Sequence, residues 1–409
     1  MEVMFPRCAG LDVHKDTVVA CVRCVSEPVH REVRTFGTTT AELIELAEWL
    51  ASHSVTQVAM EATGVYWKPV WHMLEGDFEL VLANAQHIRN VPGRKTDVND
   101  SMWVADLLAH GLIRSSFVPP AQIQELRDLM RTRKQLVREV SQHTLRIQKT
   151  LEDANLKVGS VLSSVVGTSG RKMLTAIIAG ETDPSVLADL AVGTARKKRN
   201  ELIAALRGRI TAHHRVLLKL HLELIHSLED ALREIDAVVG KALEPIEARA
   251  KILTTMPGVS DIVARVIVAE IGIDMTRFPT SAHLVSWAGL CPRNDESAGK
   301  RRSTRVRKSA NWLKTTLVTA AWTAARKRGS YLQAQFFRLK ARRGAKKAIV
   351  AVAASMLTAA YFMLRDGVAY ADLGSGHFER RDRDKAIGRL VKRLTDLGCQ
   401  VDVRRPDVA

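Results

Sequence analysis

The apolar positions of the first hundred residues fall into short runs separated by polar breaks. CAGLDVH, TVVACVRC and REVRTFGT are rich in Val, Cys or Thr and read as strands. AELIELAEWLASH then sets Leu43, Leu46, Ala47 and Leu50 at helical spacing. VTQVAMEA reads as a fourth strand, WKPVWHMLEG as a short helix with Pro69 tolerable in its first turn, and FELVLANA as a fifth strand. A helix from Lys95 to Leu112 follows, with Thr96 as its N-cap. Three strands in succession, then strands alternating with helices, predict a mixed α/β sheet over residues 1–118.

Val118-Pro119-Pro120 marks a boundary. Over 119–250 the pattern becomes helical. Ile123, Leu126, Met130, Val137, Val140, Ile147 and Leu151 form one stripe with gaps at Arg133 and Thr144. Leu206, Ile210, Leu217, Leu220, Leu224, Leu228, Leu232, Ile235 and Val239 form another. Such stripes make a coiled-coil or helical-hairpin seam, within one chain or between two. A Gly-punctuated segment of shorter helices, Gly159 to Gly193, lies between them. Residues 251–370 read as a third, basic, mostly helical unit that opens with a turn between two apolar helices. Residues 371–409 read as a basic appendage, a helix (AIGRLVKRLTDLG) and then a strand (CQVDV).

Composition adds a partner class. The chain has 46% hydrophobic residues and sets 61 Lys+Arg against 44 Asp+Glu, for a net charge of +17. That fits a globular protein with a polyanionic partner, nucleic acid first. The N-terminus, MEVMFPRC, has no apolar signal region. The longest apolar run, AIVAVAASMLTAAYFML, falls short of the roughly 20 residues that span a bilayer and reads as a buried helix. These features suit a cytoplasmic protein with no membrane partner. Cys21 and Cys24 form a CxxC, but on a strand they point to opposite faces and cannot share a metal, so both read as packing residues. The seven tryptophans, Trp49, Trp67, Trp71, Trp103, Trp287, Trp312 and Trp322, read as core rather than stacking platforms.

The candidate chemistry begins with carboxylates. Asp97 and Asp100 follow Arg94 and Lys95 and, on a helix, share a face about 5–6 Å apart. An acidic first turn favoured by the helix dipole accounts for Asp97 but less well for Asp100. Asp12 lies inside an apolar strand, where an unpaired carboxylate is costly, and Glu61 ends the fourth strand. Strand-end acids and a later helical pair can meet at one sheet edge. Hard oxygen ligands of this kind select Mg²⁺ or Mn²⁺, and two such ions roughly 3.5–4 Å apart serve phosphoryl transfer.

That order of acids resembles the RuvC branch of the ribonuclease H-like fold. The words GLDVHKD, EATGVYWKPV and KTDVNDSMWVADLL resemble the DEDD transposases of the insertion sequence one-ten family, with Ser101 keeping a small residue where Ala is commoner. MPGVSDIVARVIVAEIG is similar to the helix-hairpin-helix-like start of that family's C-terminal domain. There Pro257-Gly258 would offer backbone amides to phosphate. FPTSAHLVSWAGLCPRNDESAGKRRSTRVRKSANWLKTTL resembles the second family signature, in which Ser297 corresponds to the catalytic serine. By itself a serine in this setting is more often a loop residue. Lys300, Arg301, Arg302, Arg305, Arg307 and Lys308 follow it and would hold a phosphodiester against its hydroxyl. A second basic run, FFRLKARRGAKK, brings Arg342, Arg343, Lys346 and Lys347, as a backbone contact or equally as a solvated helix face.

The resemblance implies a metal-dependent DNA transposase acting on donor and target DNA, guided by an element-encoded bridge RNA and working as a dimer or tetramer. The rival enzyme is a Holliday-junction nuclease that uses water, with Ser297 idle. The rival from another class is a silent nucleic-acid-binding protein. A stiff helix separates its ends by about 1.5 Å per residue. If the two stripes stay unpaired within the chain, Ser297 would reach the carboxylates of a partner, and active sites would be shared.

Overall fold

A computed structural model describes residues 2–25, 28–62, 64–84, 88, 100–292, 295–297, 300–303, 305–306, 312–381 and 383–403. The chain divides into two compact units, Met1–Val118 and Pro119–Ala409.

The first unit is built on a five-stranded sheet. β1 (Arg7–Val13), β2 (Thr17–Cys24) and β3 (His30–Gly37) form an antiparallel meander. β4 (Gln57–Glu61) and β5 (Glu79–Ala83) add in parallel on the other side of β1, giving the order β3-β2-β1-β4-β5. This mixed sheet is compatible with a ribonuclease H-like start. Period-2 alternation sorts its faces. Ala9, Leu11 and Val13 of β1, with Val58 and Met60 of β4, join Leu43, Leu46 and Leu50 of α1 (Thr40–Ser52) and Val70 and Leu74 of α2 (Trp67–Leu74) in one core. Thr39 and Glu42 close a capping box on α1.

The opposite face, with Cys8, Ala59 and Ala83, is covered by Val104, Leu107 and Leu108 of α3 (Asp100–Ala109). The part of the expected helix before Asp100, with its Thr96 cap, lies outside the described residues. Cys21 is fully buried, and burial pushes its thiol up to about 11, with Asp106 adding to the rise. Cys24 packs on the other core. A packing role fits both cysteines.

In the second unit, α4 (Ala121–Asp153) and α9 (Ala212–Leu243) pack against each other along their length. The two helices thus fold back on each other within the chain, and the condition on which shared active sites rested is not met. The short helices α5 (Val158–Val161), α6 (Thr168–Ala179), α7 (Pro184–Asp189) and α8 (Arg199–Ala205) turn the chain round and close a core on Ile147, Leu151, Leu218 and Leu222. The face of α9 differs from the expected stripe. His214, Leu218, Leu222 and Ile225 are buried, whereas Leu220 and Leu224 are exposed. Leucines on more than one side of α9 let the stripe be drawn on either, and the core under α6–α8 selects one. The gap at Arg133 holds an ion pair with Asp236 across the seam.

After α10 (Glu247–Leu253) and α11 (Asp261–Ile271) come α12 (Ser281–Trp287), the hairpin β6 (Asp295–Ser297) and β7 (Lys300–Ser303), and α13 (Trp312–Ala324). The hairpin was not legible as strands, because its residues are charged and do not alternate. α14 (Tyr331–Arg343) and α15 (Ala345–Asp366) complete the unit. α15 is apolar and long enough to cross a membrane by length and composition, yet it packs against α10, α12, α13 and α14 as their central helix. α16 (His377–Arg381) and α17 (Arg383–Asp396) end the chain's helices. Residues 399–403 form no strand, contrary to expectation, for CQVDV meets no strand edge to pair with. Of the seven tryptophans only Trp49 is a core residue, and Trp322 is exposed. The other five are half-buried; Nε1 of Trp71 donates to Glu75, whereas that of Trp103 is buried with no hydrogen-bond partner among the described residues.

Candidate functional site

Gly10 sets the position of the acidic site. A Cβ at Gly10 would collide with the backbone of Ser101 and Ala105, so α3 lies directly on β1. Ser101 is fully buried at that crossing, which is why a small residue stands there. The contacts run in opposite senses along the two elements. Met4 and Phe5 donate to the carbonyl of Ala109, Cys8 lies against Ala105, and Gly10 against Ser101 and Ala105. Continuing β1 to Asp12 therefore leads back along α3 to its first residue, Asp100.

Glu61 enters from the neighbouring strand. Leu11 pairs with Met60 in the parallel register, so Asp12 and Glu61 are the next neighbours. Leu11 and Met60 both face the α1–α2 core. Alternation then turns Asp12 and Glu61 toward the α3 face, at the ends of two parallel strands. Three of the four expected acids thus share one edge. Asp97, with Arg94 and Lys95, lies outside the described residues.

The donors are carboxylate oxygens, as a hard divalent cation requires. Among the described residues no group of three or more His, Cys, Asp or Glu side chains is close enough to hold an ion. Asp12 has a neighbour that sequence reasoning passed over. The Nε2 of His14 lies 3.2 Å from Asp12 Oδ2. Its signal was an imidazole two residues beyond the acid, just past the strand end.

A triad fastens α3 to the sheet. Arg23 of β2 donates to Asp106 Oδ1 at 2.9 Å, and Arg31 of β3 donates to both oxygens at 2.9 and 3.1 Å. Arg23 is almost wholly buried and its Nη1 has no hydrogen-bond partner among the described residues. Asp106 stood in the motif KTDVNDSMWVADLL without being singled out, since only pairing across strands reveals its partners.

In the second unit Ser297 ends β6 and pairs with Lys300, which places it at the tip of the hairpin. Pro292 and Val306 bridge at its base. The backbone of Lys300, Arg301 and Arg302 forms β7. Their side chains, that of Ser297, and Arg307 and Lys308 altogether lie outside the described residues. Arg305 is exposed. Gly258 has φ +81°, and a Cβ there would strike the backbone of Ala320 and Ala324, so it serves the close packing of α13. Ser260 caps α11 by accepting from the N–H of Val263. Arg342 and Arg343 end α14, and Lys346 and Lys347 begin α15, all four exposed. The helix dipole favours the first pair and opposes the second, so this corner holds more positive charge than helix stability asks for.

Comparison with known proteins agrees with both parts. A DEDD family model for IS110 elements, described as "Transposase", matches residues 9–155. A second, described as "Transposase IS116/IS110/IS902 family", matches residues 250–336. The Insertion element IS110 uncharacterized 43.6 kDa protein of Streptomyces coelicolor is 31% identical over 151 residues, 35% of each chain. The match thus spans about a third of that relative's length. The first model covers Asp12, Glu61, Asp97 and Asp100, and the second covers Ser297. With the two halves matched in order by models of one family, the chain belongs to the IS110 family of transposases.

Proposed function

We propose that the protein is a DNA transposase that cuts and rejoins strands to move an insertion sequence. What supports this reading is the strand register, which puts Asp12 and Glu61 at the ends of two parallel neighbours, together with the packing of Gly10 against α3, the helix that opens at Asp100. With Asp97 they would hold Mg²⁺ or Mn²⁺. The ion supplies charge stabilisation for phosphoryl transfer when bound. Ser297 is the nucleophile, and its place at a hairpin tip suits approach to a strand. Its Oγ bonds to the scissile phosphorus as the bond to one strand oxygen breaks. The serine loses a proton and the departing oxygen gains one. One phosphoester replaces another, so a second strand's hydroxyl can reverse the step and rejoin DNA without an outside energy source. Lys300, Arg301, Arg302, Arg305, Arg307 and Lys308 hold the phosphate, Arg94 and Lys95 flank the acids, and the Arg342–Lys347 corner holds backbone further along. The backbone at Gly258 would add amide contacts. The net charge of +17 suits DNA together with a guide RNA. Assembly as a homo-oligomer follows from the family resemblance.

The test is strand cleavage with Mg²⁺, with EDTA as control, and denaturing gels of end-labelled DNA. Asp100→Asn and Asp97→Asn should each lose about 100-fold or more in cleavage while still binding DNA. Ser297→Ala should form no protein–DNA adduct. Full activity in either acid variant removes the metal assignment. Free 5′-phosphates without an adduct in the unmodified protein would favour the water-using nuclease. Sequencing of RNA that co-purifies with the protein tests the guide.

A further inference from the structure

Helix α4 carries Arg127, Arg131, Lys134 and Arg138 at spacings of three and four, which puts all four on one face. Glu270 of α11 engages the first two. The second two meet no carboxylate in an ion pair among the described residues. Instead both approach one ring. Lys134 Nζ lies 5.1 Å and Arg138 Cζ 5.2 Å from the ring centroid of Trp312. Lys134 also donates to Thr315 Oγ1 at 2.9 Å, and that hydroxyl donates to the carbonyl of Trp312 at 3.0 Å.

One cation on the ring would suffice to pack this seam. A second cation beside it is a repulsion that the packing does not need. Burial first, and then the charge of Arg138, pull the Lys134 ammonium below its ordinary pKa, with Glu270 opposing them. An anion between ammonium and guanidinium would relieve that repulsion. The place is open to solvent, since Arg138 and Thr315 are both exposed. An ammonium and a guanidinium match the non-bridging oxygens of a phosphodiester, while the Thr315 hydroxyl, its own proton given to the Trp312 carbonyl, accepts from the ammonium and orients it. The indole, already engaged by cations, is not offered to a base.

The location supports a nucleic-acid strand as the source of that phosphate. Trp312 opens α13, and Val306 closes the base of the hairpin that carries Ser297. The chain between them spans at most about 20 Å even when fully extended. We propose that Lys134 and Arg138, positioned by Thr315 and Trp312, form a phosphate-binding site that grips a nucleic-acid strand beside the Ser297 hairpin. The proposal rests on the transposase reading for the identity of that strand.

The test uses the full chain with a short fluorescein-labelled DNA duplex and an RNA strand of the same sequence. Affinity is followed against salt concentration. Neutralising both cations (Lys134→Gln with Arg138→Gln) should weaken binding about tenfold, independently of sequence. It should also reduce the salt slope by about 0.9 on the duplex, or about 0.7 on a single strand, as one phosphate contact is lost. The charge-preserving exchange, Lys134→Arg with Arg138→Lys, should keep most of the slope, and Thr315→Val should weaken binding less than the double change. Loss on DNA alone assigns the site to the DNA, loss on RNA alone to the guide, and either supports it. An unchanged slope in a double variant that melts like the parent overturns the proposal. So does a charge-preserving exchange that loses as much as the neutralised pair. Absence of a serine adduct in the unmodified protein would defeat the transposase reading, yet leave this slope measurement to stand or fall alone.

Discussion

Each unit of the molecule holds one carboxylate between two arginines, and the two triads are built in opposite ways. In the sheet unit the arginine is the buried member. The Arg23 side chain is 5% exposed, and that of Asp106 is 26%. In the helical unit the acid is buried. The Glu270 side chain is 4% exposed, while Arg127 and Arg131 are 14% and 35%. Arg131 grips Glu270 with two bonds of 2.9 Å. Both triads tie a helix that carries proposed site residues to its neighbours, α3 with Asp100 in one and α4 with Lys134 and Arg138 in the other. The difference shows what such a triad costs to break. The penalty falls on whichever charge is left behind, and it grows with how far that charge is from water.

The comparison can be broken by removing the acids. Asp106→Ala strands Arg23 in the sheet, and should cost about 3–5 kcal/mol in urea unfolding of the full chain. Cleavage should fall with it, because α3 loses its fastening. Glu270→Ala leaves two arginines that can partly hydrate, so it should cost less, about 3 kcal/mol at most. An equal or larger loss for Glu270→Ala would show that survivor burial does not set the order.

A third change sharpens the role of close packing in the sheet unit. Gly10→Ala places a methyl against the backbone of α3, and overpacking of this kind costs about 1–3 kcal/mol. Its mark is a cleavage defect larger than the stability loss explains, as Asp100 moves away from Asp12. A variant that unfolds earlier but cleaves normally below its transition would separate the crossing from the site.

The smallest effect concerns the helical unit alone. His143 and His221 face each other across the α4–α9 seam with Nδ1 atoms 3.2 Å apart. One ring can donate to the other while a proton is missing between them, but two protonated rings repel. Burial, then His143 and Arg146, pull His221 below the ordinary histidine value of 6.5. A neutral ring is thus favoured in the fold. The stability is fully present above pH 6.5 and declines as the pH falls through the lowered value. His221→Leu should flatten this shallow slope in melting temperature against pH, and a slope unaltered by it would place the acid sensitivity elsewhere.

Much of the sheet unit was legible before its structure. Short apolar runs rich in Val, Cys or Thr marked the strands, and period-2 alternation turns Asp12 and Glu61 to one face once β1 and β4 are known to be parallel neighbours. Helical spacing marked α1, α4 and α9, because a period of about 3.6 survives in any sequence with one dry side. The candidate acids were legible for the same reason, as carboxylates in apolar or strand-end settings need a partner to justify their cost. The partners themselves were not. Nothing along the chain singled out Asp106 or Glu270, since Arg23 and Arg131 come near them only after strands and helices pack.

The chain by itself determined periodicity, charge, and the order Asp12, Glu61, Asp97, Asp100 and Ser297, because these are properties of neighbours along the backbone. Tertiary structure alone decided the rest. It chose Leu218 and Leu222 over Leu220 and Leu224 as the buried side of α9, by closing α6–α8 over one face of a helix that offered two. It folded the two long helices back on each other within the chain. It turned Gly10 from a permissive residue into the crossing point that sets Asp100 above β1. In each case the sequence left several arrangements of similar local energy, and long-range packing at near-crystalline density admitted only one of them.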